Sequence, residues 1–466
     1  MTPVLPMKKS VQVGAPSSQD SSQEKQFQVY TARDWDQIPQ LARIPETIRR
    51  QMRAVSQVLP FRVNQYIIDE LIDWDNIPDD PIFQLTFPQP GMLDPEHVER
   101  MAQLLDNNAE KQEISDLADR IRQGLNPHPA GQQKHNIPEL DGEKLDGMQH
   151  KYRETLLFFP SQGQTCHSYC TFCFRWAQFI GDKNLRFASK EVNQLQQYLT
   201  RHTEISDLLI TGGDPMVMKT RHLQHYLEPL TEPRFSHVQT IRIGTKALTF
   251  WPQRFVTDPD ADALLLLLEK LVNQGKHVAI MAHYNHWREL DTRMARKAIS
   301  RLLQTGVTIR SQGPLLAHIN DNADDWAQLW KTQVKLGVIP YYMFVERDTG
   351  AKRYFEVPLA KAWEIYRNAL QQVSGLGRTA RGPSMSAGPG KIEVQGITEI
   401  MGEKVFVLRM IQGRNANWVQ RPFFARFDEH ATWISDLKPA FGEEKFFFED
   451  EYHQLCATNH WRQQYM

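Results

Sequence analysis

From about Glu46 to Gln123 apolar side chains recur at helical spacing: Ile48, Met52, Val55 and Val58, then Val98, Met101, Leu104 and Leu105. Proline-rich joints at Pro78 to Pro81 and Pro88 to Pro90 break the pattern. The spacing predicts a helical region over 28–150. Beyond Gly131 the period shortens, and apolar runs of strand length follow one another: Leu156 to Phe159, Asp207 to Thr211, Thr240 to Ile243, Val278 to Ala282, Val307 to Arg310 and Pro340 to Val345. Helical stretches separate them, among them Lys190 to Thr200, Ala261 to Gln274, Asp291 to Gln304 and Asp324 to Leu336. Alternating buried strands and helices predict parallel βαβ units, and six such strands predict an α/β fold with a partial (β/α)6 barrel over 151–395. In such a barrel the chemistry gathers where strands end. The last stretch, 396–466, with Val405 to Met410 and Phe423 to Phe427 around Asn415-Ala-Asn417, predicts a small β-containing extension that caps the barrel or joins the interface of a homo-oligomer. The first 27 residues, polar and with Ser17, Ser18, Ser21 and Ser22 among charged residues, predict a disordered tail.

Three of the four cysteines fall within eight residues, as Cys166-His-Ser-Tyr-Cys170-Thr-Phe-Cys173. Three thiols in one loop leave an odd one over for disulfide pairing, and His167, beside a ligand, cannot easily reach the same metal to complete a zinc site. Core packing alone does not concentrate cysteine in this way. The spacing therefore points to an iron–sulfur cluster with one open metal position, where a substrate or cofactor can bind.

Charge and composition remove other classes. The chain of 466 residues is 41% hydrophobic, enough for a sizeable core. A formal net charge of -1 gives no overall field for nucleic acid or an anionic membrane. The longest apolar run, Ala263 to Leu268, is too short to cross a bilayer, and the polar start lacks the apolar core of a signal peptide. With few cysteines, these features lead to the expectation of a cytoplasmic protein.

Further motifs sit at predicted strand ends. Thr211-Gly212-Gly213-Asp214-Pro215 follows the second strand; its glycines let the backbone approach a ligand, although a plain strand-to-helix turn would use them too. The fourth strand runs into His283-Tyr-Asn-His286 and the fifth into Ser311-Gln312, toward the same mouth. Past the last strand comes Ser384-Met-Ser-Ala-Gly388-Pro-Gly390-Lys391. Its lysine is either simply solvated or the partner of a carbonyl cofactor, with glycines clearing space for a ring.

Cys-x3-Cys-x2-Cys with Phe172 before the third cysteine resembles the signature of the radical S-adenosylmethionine (SAM) enzymes. The resemblance implies a [4Fe-4S] cluster on Cys166, Cys170 and Cys173, SAM on the fourth iron, an external electron donor, and an adenosyl radical that abstracts a substrate hydrogen. It implies Gly212, Gly213 and Asp214 at the amino group of SAM, and His283 and Gln312 at its adenosine. Gly388-Pro-Gly390-Lys391 resembles the glycine-rich turn of the lysine 2,3-aminomutase family, whose lysine binds pyridoxal 5'-phosphate. That likeness runs from roughly Leu59 to Gly396 through Phe61-Arg-Val, Ile72-Asp-Trp-Asp75, Asn126-Pro-His-Pro129, Arg242-Ile-Gly-Thr245, Ile319-Asn-Asp321 and Pro340-Tyr-Tyr342. It implies an isomerase that moves the amino group of an amino acid from Cα to Cβ, with Arg175 holding the α-carboxylate through a bidentate pair of guanidinium N–H groups.

The chain departs from that family in three places. Lysine mutases meet the substrate's distal ammonium with two aspartates; here Ser384 takes one position and Arg347 is the ungapped match to the other, with Asp348 one residue on. An arginine buried against an ammonium is costly, so an acidic or polar amino acid is expected at least as readily as lysine. The family's C-terminal zinc cysteines are reduced to Cys456, and no structural zinc is expected. The phosphate-binding arginine is displaced, with Lys151-Tyr-Arg153-Glu-Thr155 in its place; solvated charges are the default for Lys151 and Arg153. Two further readings stay open: a pyridoxal-dependent radical enzyme acting on a modified amino acid or a protein lysine, and a non-catalytic iron–sulfur regulator, in which the glycine pair, His283 and Lys391 would be superfluous.

Overall fold

A computed structural model describes residues 27–125, 136–180, 188–189 and 191–458. The expected tail, apart from Phe27, and Asn126-Pro-His-Pro129 lie outside these residues.

Within 28–150 helices form where the spacing predicts them, but Val29–Thr31 pairs with Arg62–Asn64, and Glu139–Leu140 with Glu143–Lys144, as short strands. Helices α1 (Glu46–Val58), α2 (Pro95–Asp106) and α3 (Lys111–Leu125) pack together, and the periodic positions Met52, Val55, Val58, Val98 and Met101 fill their common core. Proline sits in the first turn of α2, where its missing N–H costs nothing. No helix among the described residues is long and apolar enough to cross a membrane.

The rest is organised by one sheet, eleven-stranded among the described residues. Strand β1 (Met148–Tyr152) is antiparallel to β2 (Thr155–Phe158). From β2 the ladder is parallel and in chain order through β3 (Asp207–Ile210), β4 (Thr240–Thr245), β5 (His277–His283), β6 (Thr308–Leu315), β7 (Ile339–Val345) and β8 (Arg381–Ser386). The crossovers contain α4 (Val192–Arg201), α5 (Thr220–Leu227), α6 (Ala261–Asn273), α7 (Arg293–Gln304), α8 (Ala323–Lys335) and α9 (Leu359–Gln371). An antiparallel run, β9 (Gly390–Ile400), β10 (Glu403–Gly413) and β11 (Pro422–Arg426), continues the same sheet, and α10 (Glu449–Thr458) follows. The boundaries expected at 150/151 and 395/396 fall inside β1 and β9.

Six predicted strands and four predicted helices appear within a few residues of their expected positions. Strand β8 was not read, and the reason is chemical. Its Arg381-Gly-Pro-Ser-Met-Ser386 has a turn-like composition, with glycine, proline and serine where a strand would show an apolar run, although its four central residues are buried.

Alternation decides what each strand does. On one face Leu156, Phe158, Leu208, Ile210, Ile241, Ile243, Ile280, Ala282, Ile309 and Met343 are buried against the helices. The intervening residues Leu157, Leu209, Gly244, Met281, His283, Gln312, Pro314 and Phe344 line a cavity on the other face. Leu208 is fully buried in β3, so Leu208→Ala is expected to lower unfolding free energy by about 2–5 kcal/mol in denaturant titrations, with an unchanged denaturant slope.

Candidate active site

The cavity, about 300 Å³, is lined by residues from both β2 and β8, so the sheet must curve to bring its ends around one space. Cys166, Cys170 and Cys173 all face it. Their loop is held by the helical region: Tyr169 N donates to Arg62 O at 2.8 Å and Thr171 N to Leu85 O at 3.0 Å. Asn64, fully buried, donates through Nδ2 to the carbonyls of His167 and Phe250 at 3.2 and 2.7 Å.

Burial pushes the three thiols up, Cys173 to about 11, and the charge of Cys173 further disfavours ionisation of Cys166 and Cys170. Bare thiols would therefore remain protonated. A polycationic iron cluster reverses that balance, since a coordinated thiol is deprotonated outright. No three His, Cys, Asp or Glu side chains among the described residues converge on a single-ion position. Three thiols spread along one wall suit a cluster in which each holds a different iron.

Gly212, Gly213 and Asp214 lie at the same wall. A Cβ on Gly213 would come 2.4 Å from Thr165 O, so its bareness serves the docking of the cysteine loop. The Asp214 carboxylate is committed within the protein: it accepts from Met216 N at 2.9 Å, Thr245 Oγ1 at 2.7 Å and Lys246 N at 2.8 Å. It ties the loop after β3 to the end of β4. His283 does face the cavity; burial holds its ring neutral, and its Nε2 is buried without a hydrogen-bond partner. Gln312 lines the cavity, whereas neighbouring Ser311 donates to Gln333 on α8. His286 is likewise turned away, toward Asp325 at 3.3 Å.

Arg175 lines the cavity with its guanidinium 4.2 Å from the Phe159 ring centroid and donates to Gly212 O at 3.3 Å. Burial lowers its pKa to about 10. Arg347 joins it, 4.5 Å from the Phe174 ring centroid, while Asp348 lines a separate cavity of about 720 Å³ beside α2 and α3. Ser384 is fully buried outside the lining, donating to Met343 O at 3.4 Å; Ser386 lines the cavity in its place.

Lys391 lies on β9, directly opposite Ser386. Its Nζ is 4.0 Å from the Tyr342 ring centroid and 5.4 Å from that of Phe344, which lines the cavity. Burial, and repulsion by Arg242, Arg381 and Arg347, lower its pKa to about 7. A large share of the amine is then neutral and nucleophilic near neutral pH.

The sequence reading missed two groups. Lys246 lines the cavity and donates to Glu289 at 2.6 Å and Asn285 Oδ1 at 2.9 Å, a buried pair next to the cysteines. Its position, directly after the noted Arg242-Ile-Gly-Thr245 strand end, was the available signal. Glu346 also lines the cavity, and burial holds its carboxyl well above the usual range. Its place in the run Glu346-Arg347-Asp348 gives no sequence signal that separates it from its charged neighbours.

No family model matches the chain. A protein of Aquifex aeolicus (strain VF5) named "Putative L-lysine 2,3-aminomutase" is 33% identical over 403 residues, covering 86% of this chain and 94% of that protein. The chain belongs to the lysine 2,3-aminomutase family. Another relative, L-lysine 2,3-aminomutase of Bacillus subtilis (strain 168), is 27% identical over 323 residues, 68% of this chain and 65% of that protein. Among solved structures, a radical SAM methyltransferase from Sphaerobacter thermophilus shares 13% identity at a TM-score of 0.37, over 64% of this chain and 94% of that one.

Amine-reactive labelling of Lys391 should follow its lowered pKa: slow below pH 7, where the amine is protonated, and rising through a midpoint near 7. Arg347→Met removes a like charge and should move the midpoint upward. A midpoint at the ordinary lysine value, read by peptide mass spectrometry against pH, would contradict this environment.

Proposed function

We propose that the protein is a radical SAM and pyridoxal phosphate-dependent 2,3-aminomutase, an isomerase of a free amino acid built on a partial barrel. The observation that supports it most is the Lys391 amine, near neutrality against an aromatic floor, at the edge of the cavity that the cysteines line. When bound, the cluster and SAM would supply a hydrogen-abstracting radical, and pyridoxal phosphate, which Lys391 would hold in the absence of substrate, would carry the substrate's amino group between adjacent carbons.

The protein's own groups have distinct tasks. Cys166, Cys170 and Cys173 hold three irons and leave the fourth open. The unpartnered Nε2 of His283 and the side chain of Gln312 offer contacts to the adenosine of SAM. Arg175, stacked and poor in water, binds the α-carboxylate and keeps the reacting carbons beside the cluster. Phe172, Phe174 and Phe344 exclude water from a radical that would otherwise abstract hydrogen at random.

Glu346 supports a cationic side chain on the substrate. A carboxyl that burial keeps neutral ionises when an ammonium enters beside it. The second reading, an acidic or polar amino acid, is favoured by Arg347 on the same wall. Anaerobically reconstituted protein should contain iron and sulfide, cleave SAM when reduced, and lose both properties in Cys170→Ser. Incubation with single amino acids, read by mass spectrometry, should give β-amino acid from lysine, a product lost in Lys391→Ala. Product from glutamate and none from lysine would reverse the substrate reading; SAM cleavage with no β-amino acid from any amino acid would remove the mutase.

A further inference from the structure

One end of the cavity carries more positive charge than its own acids neutralise. Lys151, on β1, reaches the hairpin that bears Lys391: its Nζ donates to Ala387 O at 2.7 Å. That uses one of an ammonium's three donors, and no ion pair of Lys151 occurs among the described residues. Arg347 enters from the end of β7. Ser386, next to Ala387, lines the cavity opposite Lys391; Lys151 and Lys391 lie just behind this lining, and with Arg347 they are three basic groups close enough to disfavour one another's charge.

Their repulsion is mutual. Arg414, Arg347 and Lys391 all disfavour the charge on Lys151, which burial has already pushed well below the usual lysine value. The neighbouring acids are engaged elsewhere: Asp207 with Arg242 at 2.8 Å and Glu393 with Arg409 at 2.7 Å. Asp348 supports Arg347 but faces the other cavity, and Glu346 is held neutral. Arg414, also close enough to disfavour the charge on Lys151, braces the hairpin, donating to Gly388 O at 2.9 Å and Asn136 Oδ1 at 2.6 Å.

A dianion would resolve this imbalance, and a phosphate monoester carries about -1.5 to -2 at pH 7. We infer that Lys151 and Arg347 clamp the phosphate of the pyridoxal cofactor, replacing the family arginine that this chain lacks. Arg347 would offer a guanidinium and Lys151 an ammonium to the phosphate oxygens. The inference rests on the proposed use of pyridoxal phosphate at Lys391, and it assigns Arg347 to the cofactor rather than to an acidic substrate.

The test compares pyridoxal phosphate with pyridoxal, which lacks the phosphate. Full-length protein is titrated with each, following attachment at Lys391 by absorbance and by borohydride trapping with peptide mass spectrometry. Unaltered protein should prefer the phosphate form by about 100-fold, and Lys151→Met and Arg347→Met should each cut that preference about tenfold, as loss of a charge-assisted hydrogen bond does. Pyridoxal affinity should stay within about threefold, and Lys151→Arg, which keeps the charge, should keep most of the preference. Equal losses for both aldehydes would show damage to the hairpin and overturn the clamp, as would a preference that neither variant diminishes. Arg347→Met that leaves the preference intact but abolishes turnover of an acidic amino acid would give Arg347 to the substrate and overturn it too. Attachment in unaltered protein without any phosphate preference sinks this inference alone; no attachment at Lys391 sinks the cofactor reading and the clamp together.

Discussion

A parallel ladder leaves side chains two directions, and in this protein the two directions have opposite chemistry. Strands β2 to β8 bury one face against six helices, where residues such as Leu208, Ile241 and Ile280 lose all contact with water. The polar strand residues that serve the site are then presented on the other face or at the ends, while Ser311, on the helix side, is satisfied by Gln333. Because the sheet curves, that other face encloses one cavity, and residues from seven strands or the loops that follow them meet there. The convergence of cysteines, glycines, His283, Gln312, Arg347 and Ser386 is a consequence of this geometry.

Burying charges there has a cost, which is met in two ways. Where the charge is structural, it is paired and saturated with hydrogen bonds. Asp214 receives bonds from three groups, and Lys246 and Glu289 satisfy each other beside Asn285. Other charges, Arg175 and Arg347 on the cavity wall and Lys391 and Lys151 at the hairpin beside it, are left incompletely compensated. The contrast between saturated and unsaturated charge separates framework from binding surface more sharply than residue type does.

The two flanking regions hold parts of the site. The helical region carries the acceptors, Arg62 O, Gln84 O and Leu85 O, that hold the cysteine loop from behind. On the far side, Arg414 at the end of β10 and Tyr452 on α10 pack against the Ala387-to-Gly390 turn, where Gly388 has no room for a side chain. The position of Lys391 therefore depends on a segment that in sequence looks like an appendage.

The sequence by itself determined the α/β alternation, the order of the parallel strands, the cysteine loop and the family. Each of these is carried by local spacing: period two against period 3.6, or ligands a few residues apart. It could not tell Glu346 from Arg347 from Asp348, because three adjacent charged residues just past a strand have no periodicity, and only the turn of the chain sends two to one cavity and the third to another. Nor could it distinguish Ser384 from Ser386, one residue of spacing apart on the same face, or show that Gly213 makes room for Thr165. Lys151 lies 240 residues before Lys391, and its part in the same charged corner exists only because the antiparallel strand before the parallel run and the hairpin after it meet across the curved sheet.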